Sequence, residues 1–263
     1  AAAGLPSKRL ALIPNGVDLN RFRPANEEER LRLRESLGLP VNLPLILFVG
    51  FFSHEKHPCL LFDAWVRARE AQGDDSALLF IGSTQSKYYE VDPSIATRIR
   101  MEAKEHDLGG RLFFIERTIA IEQYYRCADI FVLPSSREGM PNALLEAMAS
   151  GTACIASRLP GVTDELLEDG ISGLLVEPAD VEALTKAICR LIANPRQREA
   201  MGLQARRRAS ERFSMPLVSS LYLTLYGEML GAEELDHKSN VKAVFNARVK
   251  SWHSQYESTT DFR

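Results

Sequence analysis

The chain has 263 residues, which at roughly 150 residues per domain allows one or two domains. Its 45% hydrophobic and 25% charged content and its net charge of −3, from 32 basic and 35 acidic residues, are those of an ordinary globular protein. They exclude a disordered, collagen-like or disulfide-stapled chain, and they leave no global basic excess to hold a nucleic-acid backbone, so no nucleic-acid partner is expected.

In chain order, Ala1 to Gly4 carries no charged-then-apolar design, and no targeting segment is evident. Residues 1–26, with Pro14-Asn15-Gly16 and Arg21-Phe22-Arg23-Pro24, read as a linker entering a domain. The longest apolar run, Leu43 to Phe52, contains Pro44 and Gly50 and is far shorter than the ~20 residues of a membrane span. It reads as a buried strand at Leu45 to Val49. Further apolar strands are expected at Leu78 to Ile81, Leu112 to Ile115, Ile130 to Leu133, Ala153 to Ala156 and Leu174 to Val176. Between them, Cys59 to Ala71, Pro93 to His106 and Ala143 to Ala149 have helical periodicity. Strands apolar throughout, alternating with helices, predict a doubly wound α/β domain whose parallel sheet is covered on both faces.

After Asp180 the pattern turns all-helical: Val181 to Ala193, Gln197 to Phe213 and Pro216 to Leu230, broken at Asn194-Pro195 and Met215-Pro216. From Glu233 the chain is polar except for Val241, Val244, Phe245, Val249 and Trp252, which make one apolar helical stripe. The expected organisation is thus a linker segment (1–26), a main domain (27–230) and an amphipathic tail (231–263). Cys59, Cys127, Cys154 and Cys189 sit in apolar surroundings without C-x-x-C spacing, which favours reduced thiols in a cytoplasmic setting over bridges or zinc.

In such sheets ligands bind beyond the carboxyl ends of the strands, which singles out the loops Gly50 to Lys56 and Pro134 to Pro141. The second begins Pro134-Ser135-Ser136-Arg137-Glu138-Gly139-Met140-Pro141 and runs on into Asn142-Ala143-Leu144-Leu145-Glu146. With Asn142 as N-cap, or Pro141 as first helical residue, the amides of Asn142, Ala143 and Leu144 would be free to bind an anion, phosphate above all. Gly139 removes a side chain where backbone must approach a ligand. Glu138 and Glu146 offer carboxylates, each able to take two hydroxyl donors of a ribose or sugar diol.

This string resembles the E-x7-E signature of retaining glycosyltransferases of GT-B architecture, in particular glycosyltransferase family 4. The resemblance extends to Ile13-Pro14-Asn15-Gly16-Val17-Asp18 with Arg21-Phe22-Arg23-Pro24, to Ala128-Asp129 through Ser135, to Glu146-Ala147-Met148-Ala149-Ser150-Gly151, and to Gly161, Glu165 and Asp169-Gly170. It implies a Rossmann-like six-stranded parallel sheet flanked by helices, the C-terminal half of a GT-B fold with extra C-terminal helices. The implied activity is hexosyl transfer from a nucleotide-sugar, of UDP or GDP type, to a glycan or lipid-linked acceptor in polysaccharide or glycolipid synthesis. By the same resemblance Glu146 would hold the donor ribose and Glu138 the hydroxyls of the sugar. Gly50, Gly139, Met140, Pro141, Asn142 and Ala143 would line the sugar and diphosphate, and Lys56 would neutralise the leaving diphosphate. No metal is expected. A domain that binds the acceptor would stand N-terminal to this one, so the chain alone is expected to bind donor weakly and transfer little.

Two positions depart from the family pattern. Phe51 stands where an Arg is usual, so that either His54, His57 or Arg117 partly substitutes, one cation suffices, or activity is weakened, and Glu116 stands where Gly is common at the end of the third strand. Residues 82–90 and 116–119 are expected to select base and sugar. His54-Glu55-Lys56-His57 lacks the H-E-x-x-H zinc spacing, and neither G-x-G-x-x-G nor a Walker loop occurs. Arg206-Arg207-Arg208 is open to two readings, a peripheral contact with an anionic membrane surface at the inner face of the cell membrane or, favoured, a solvated helix face. A competing reading of the whole is a non-catalytic nucleotide-sugar-binding or partner-docking module, motivated by Phe51.

Overall fold

The computed structural model describes residues 11–73, 76–85 and 90–229. By its internal contacts the chain divides into a unit of residues 15–215 and a second comprising residues 1–14 and 216–263. The first unit is built on six strands: β1 (Leu45–Val49), β2 (Ala77–Ile81), β3 (Leu112–Ile115), β4 (Ile130–Leu133), β5 (Ala153–Ser157) and β6 (Leu174–Val176). They are parallel throughout, in the order β3-β2-β1-β4-β5-β6. That is the doubly wound dinucleotide-fold order, whose direction of winding reverses between β1 and β4. Ligand crevices form at that switch point, because adjacent crossovers leave it to opposite faces.

Alternate side chains of each strand point to opposite faces, and both faces are covered. Leu45, Leu47, Phe131 and Leu133 enter one core with α4 (Ile121–Cys127), α5 (Asn142–Ala149) and α8 (Pro195–Phe213). Ile46, Phe48, Ile130 and Val132 enter the other with α2 (Pro58–Gln72), α3 (Pro93–Glu105) and α7 (Val181–Ala193). Strands buried on both sides are apolar at every position, which made them readable.

Local chemistry sets the helix ends. The Asp180 side chain accepts from the Ala183 amide at the start of α7, and Asp92 accepts from Ser94 ahead of Pro93 in α3. Helix α8 starts at Pro195, two residues before the expected Gln197, because a proline at the first helical position loses no hydrogen bond. Helix α5 likewise starts at Asn142, with Pro141 at the cap position, so Asn142 is neither the N-cap nor preceded by a helical proline. Two helices that the pattern did not announce are α1 (Glu27–Ser36) and α4; a single turn, α6 (Thr163–Leu166), also forms.

Helix α1 is fixed by Arg34. The residue is 2% exposed, and its guanidinium donates to the carbonyls of Cys127, Pro40 and Leu43 and to Asp129 at 2.7 Å. Asp129 in turn accepts from the Leu45 amide at 2.7 Å and from Arg30, so this ion pair joins α1 to the entry of β1 and β4. Residues 15–26 of the segment expected as a linker pack on the domain they enter: Val17 and Phe22 are buried, and Val17 bridges to Ser214 in parallel fashion.

The four cysteines are free thiols, Cys127 and Cys154 fully buried, and burial pushes the Cys127 thiol up to about 11. The basic cluster is not a uniformly solvated face. Arg206 donates to the carbonyls of Phe22, Ala149 and Leu19, and Arg208 to those of Leu166 and Glu165, while Arg207 stays exposed beside Glu211. Helix α9 (Met215–Met229) leads into the second unit. The amphipathic stripe of the tail lies outside the described residues, and no described helix is long and apolar enough to cross a membrane.

Candidate functional site

The loops at the carboxyl ends of β1, β2 and β4 meet over the switch point. Gly82 makes this approach feasible: the Gly50 amide donates to the Ile81 carbonyl, and a Cβ on Gly82 would stand 1.8 Å from the Gly50 oxygen. Gly82 also has φ +155°, a conformation that side chains oppose. Beyond Gly50 the chain forms a 3-10 turn, His54–Lys56, and enters α2 through His57 in the left-handed region (φ 49°) ahead of Pro58.

Lys56 and Glu138, 82 positions apart, are brought together. The Lys56 Nζ donates to both Glu138 carboxylate oxygens at 2.7 Å, the carboxylate side chain being 8% exposed and the lysine 28%. The two loops are clipped alongside this pair, since the Ser136 amide donates to the Glu55 carbonyl at 2.9 Å and Arg137 pairs with Glu55. At Gly139 a Cβ would meet nothing within 4 Å, so the chain's own packing does not demand glycine there.

Helix α5 presents its first amides to this crevice. Asn142 and Ala143 have no backbone acceptor among the described residues, whereas Leu144 and Leu145 both donate to the Pro141 carbonyl. The Leu144 amide is therefore not free as expected, and the anion-binding capacity of the terminus rests on Asn142 and Ala143. Met140 and Pro141 carry the loop into the helix, and the Asn142 side chain accepts from Asn15 Nδ2 at 2.8 Å.

Glu146 lies one turn further along, on a cavity of about 460 Å³ shared with Asn15, Asp18, Arg21, Phe22 and Asn142. Burial raises its carboxyl above the ordinary range, opposed by the nearby Tyr125 hydroxyl and the Arg21 charge. Arg21 is held in place by Glu122 at 3.1 Å and by the Ile119 carbonyl. The two signature carboxylates thus have distinct surroundings: Glu138 is clasped by a cation, Glu146 is desolvated over a cavity.

The departures from the family pattern also have places. Phe51 is on the surface, 39% exposed. His54 pairs with Asp92 at 3.1 Å, and burial, then the neighbouring His54, lowers the His57 imidazole towards its neutral form. Arg117 is exposed, with no ion pair among the described residues. Glu116 accepts from the Thr84 amide at 2.8 Å and from the Thr84 hydroxyl and Arg100, which with its other contacts hold its carboxyl below the usual range despite some burial. A somewhat larger cavity, about 500 Å³, lies between α2 and α3 and takes in Cys59 and Asp63. Burial raises the pKa of both, which suits neither to nucleophilic work. Among the described residues no three His, Cys, Asp or Glu side chains are grouped to hold a metal ion.

Asn15, Arg21 and Tyr125 were not named as site residues from the sequence. A side chain's approach across more than a hundred positions leaves no local signal, although Asn15 and Arg21 fall within the segments that carried the resemblance.

The model of the family glycosyl transferases group 1 matches residues 29–208. Among curated proteins the chain is similar to D-inositol 3-phosphate glycosyltransferase of Xylanimonas cellulosilytica, at 30% identity over 86% of this chain and 52% of the relative. It is also similar to the GDP-mannose-dependent alpha-(1-6)-phosphatidylinositol monomannoside mannosyltransferase of Mycolicibacterium smegmatis, at 32% identity over 78% of this chain and 53% of the relative. The chain thus spans about half the length of the curated relatives it matches. Among solved structures, sucrose-phosphate synthase of Thermosynechococcus elongatus superposes with a TM-score of 0.72 at 29% identity, over 85% of this chain and 53% of that one. Anabaena HepE in complex with UDP and glucose superposes at 0.75 and 21% identity, over 88% and 59%. The sheet order and these neighbours make the fold that of a GT-B Rossmann-like domain. With more than half of its residues under the family model, the chain belongs to the glycosyl transferases group 1.

Proposed function

We propose that this chain is the donor half of a retaining glycosyltransferase of family 4, which moves a hexose from a UDP- or GDP-sugar to a glycan or lipid-linked acceptor. The observation that carries the reading is the Lys56–Glu138 clasp beside the open amino end of α5, with Glu146 one turn deeper. Glu146 receives the ribose hydroxyls, and the Asn142 and Ala143 amides with the backbone of Gly139 to Pro141 and Gly50 receive the diphosphate. When a donor enters, Lys56 turns part of its charge from Glu138 to the diphosphate, and Glu138 is released to accept sugar hydroxyls. As the glycosidic bond breaks, negative charge grows on the diphosphate, where a fixed ammonium and the helix amides stabilise it most. We assign that neutralisation to these groups rather than to a metal ion.

The acceptor attacks from the face that the diphosphate leaves, which keeps the anomeric configuration. The acceptor side belongs to a second domain, as the double length of the curated relatives suggests, and the setting is the cytoplasm or the inner face of the membrane. The test joins such a domain to this chain and follows release of UDP or GDP from α-linked donors by NMR. An α-linked product is expected, with little transfer by this chain alone; a β-linked product overturns retention. Phe51, in place of a second cation, favours the other reading, a nucleotide-sugar-binding module without transfer. Glu138→Ala separates the two: loss of turnover with nucleotide binding kept supports the enzyme, and binding without turnover in the unaltered two-domain protein supports the module.

A further inference from the structure

Tyr125 occupies the middle of α4 with its ring wholly buried, edge-on to Phe22 at 5.8 Å and tilted against Phe131 at 5.8 Å. Its backbone carbonyl is fixed by the Thr152 hydroxyl at 3.2 Å and by the Ala128 amide. The hydroxyl is buried and makes no hydrogen bond of good geometry among the described residues, a state that native structures avoid unless the group has a further use. It faces the Glu146 carboxyl, whose side chain has no hydrogen bond of good geometry among the described residues. Phe22, which packs on Tyr125, lines the same cavity as Glu146. A donor hydroxyl thus stands behind a carboxylate whose other side opens to the cavity.

We infer that Tyr125 is the positioning residue for Glu146: its O–H closes on one carboxylate oxygen and so turns the other to the ribose diol of a nucleoside diphosphate. The inference rests on the assignment of Glu146 to the ribose. A carboxylate free to rotate offers its two oxygens to the diol only part of the time, and a hydroxyl fixed in a packed helix removes that freedom. Desolvation keeps the Tyr125 hydroxyl protonated, its pKa being raised well above the ordinary phenol value, so it can only donate to Glu146 as an O–H and never repel it as a phenolate.

The test compares affinities of the chain for UDP and GDP with those for their 2′-deoxy counterparts, in the unaltered protein, in Tyr125→Phe and in Glu146→Ala. Phe keeps the ring and its packing, so thermal stability is expected to hold, while the preference for ribose over deoxyribose falls about tenfold, the scale of one hydrogen bond to a charged group. A fall in affinity for both sugars alike, or an unchanged preference in Tyr125→Phe, overturns the inference. If Glu146→Ala also leaves the preference unchanged, or the unaltered chain has none, the ribose assignment falls and the inference with it. If Glu146→Ala abolishes the preference and Tyr125→Phe leaves it unchanged, the positioning role alone falls.

Discussion

Replacing Lys56 by Met removes the cation from a carboxylate that is 8% exposed and has both oxygens on the lysine Nζ at 2.7 Å. Exposed ion pairs contribute about 0.2–1 kcal/mol, whereas stripping one partner from a buried pair costs about 3–5 kcal/mol because the other charge is stranded. With Glu138 nearly buried and Lys56 at 28% exposure, Lys56→Met is expected to cost about 2 kcal/mol, which lowers the melting temperature of a domain this size by about 4–8 °C. Glu138→Gln should cost less, since the longer lysine can reach water, and the double variant Lys56→Met/Glu138→Gln should recover most of the loss. Urea denaturation of the four proteins gives the coupling energy, expected at about 1 kcal/mol or more. A coupling near zero, with Lys56→Met neutral, would refute the argument that the clasp holds the two loops together, and with it the idea that a donor must compete for Lys56.

Three further outcomes follow from other parts of the domain. Gly82→Ala forces a Cβ to 1.8 Å from the Gly50 carbonyl at a φ of +155°, so loss of about 3 kcal/mol or more is expected by denaturant unfolding, and a near-neutral variant would contradict the close approach. Arg34→Met leaves Asp129 without its buried partner and should cost about 3–5 kcal/mol, against less than 1 kcal/mol for the exposed Arg32→Met. Glu146→Gln should weaken nucleotide affinity yet raise the melting temperature at pH 7: burial lifts the native carboxyl above its unfolded value, so the stability it contributes is present below the unfolded value and lost as pH rises through the native one. The gain from Glu146→Gln should shrink as pH falls through that native value, and a gain independent of pH would rule out this cause.

The fold was legible where a strand is apolar from end to end. β1, β3, β4 and β6 match their expected spans because no polar residue interrupts them, even in the partly buried β3, and α7 matches because Asp180 caps it and Asn194-Pro195 ends it. Helix α1 was not legible: its segment is almost entirely charged, and what fixes it is Arg34 reaching carbonyls near residue 127 and the Asp129 carboxylate. Helix α4, at two turns, is too short for periodicity to separate from a loop. In the site, Lys56, Glu138 and Glu146 were named from a motif, but a motif gives no partners. That Glu138 is held by Lys56, and that Glu146 has Tyr125 behind it and Arg21 beside it, follows from tertiary packing that brings together residues from five separate segments.

The most direct test of the account is saturation-transfer NMR of this chain with UDP, GDP, ADP and CMP and their sugar conjugates, with Glu146→Ala beside it. A uridine or guanosine diphosphate is expected to bind selectively, with strong transfer to its ribose protons, and Glu146→Ala is expected to weaken that signal. Binding by none of them, or binding that Glu146→Ala leaves intact, would contradict it.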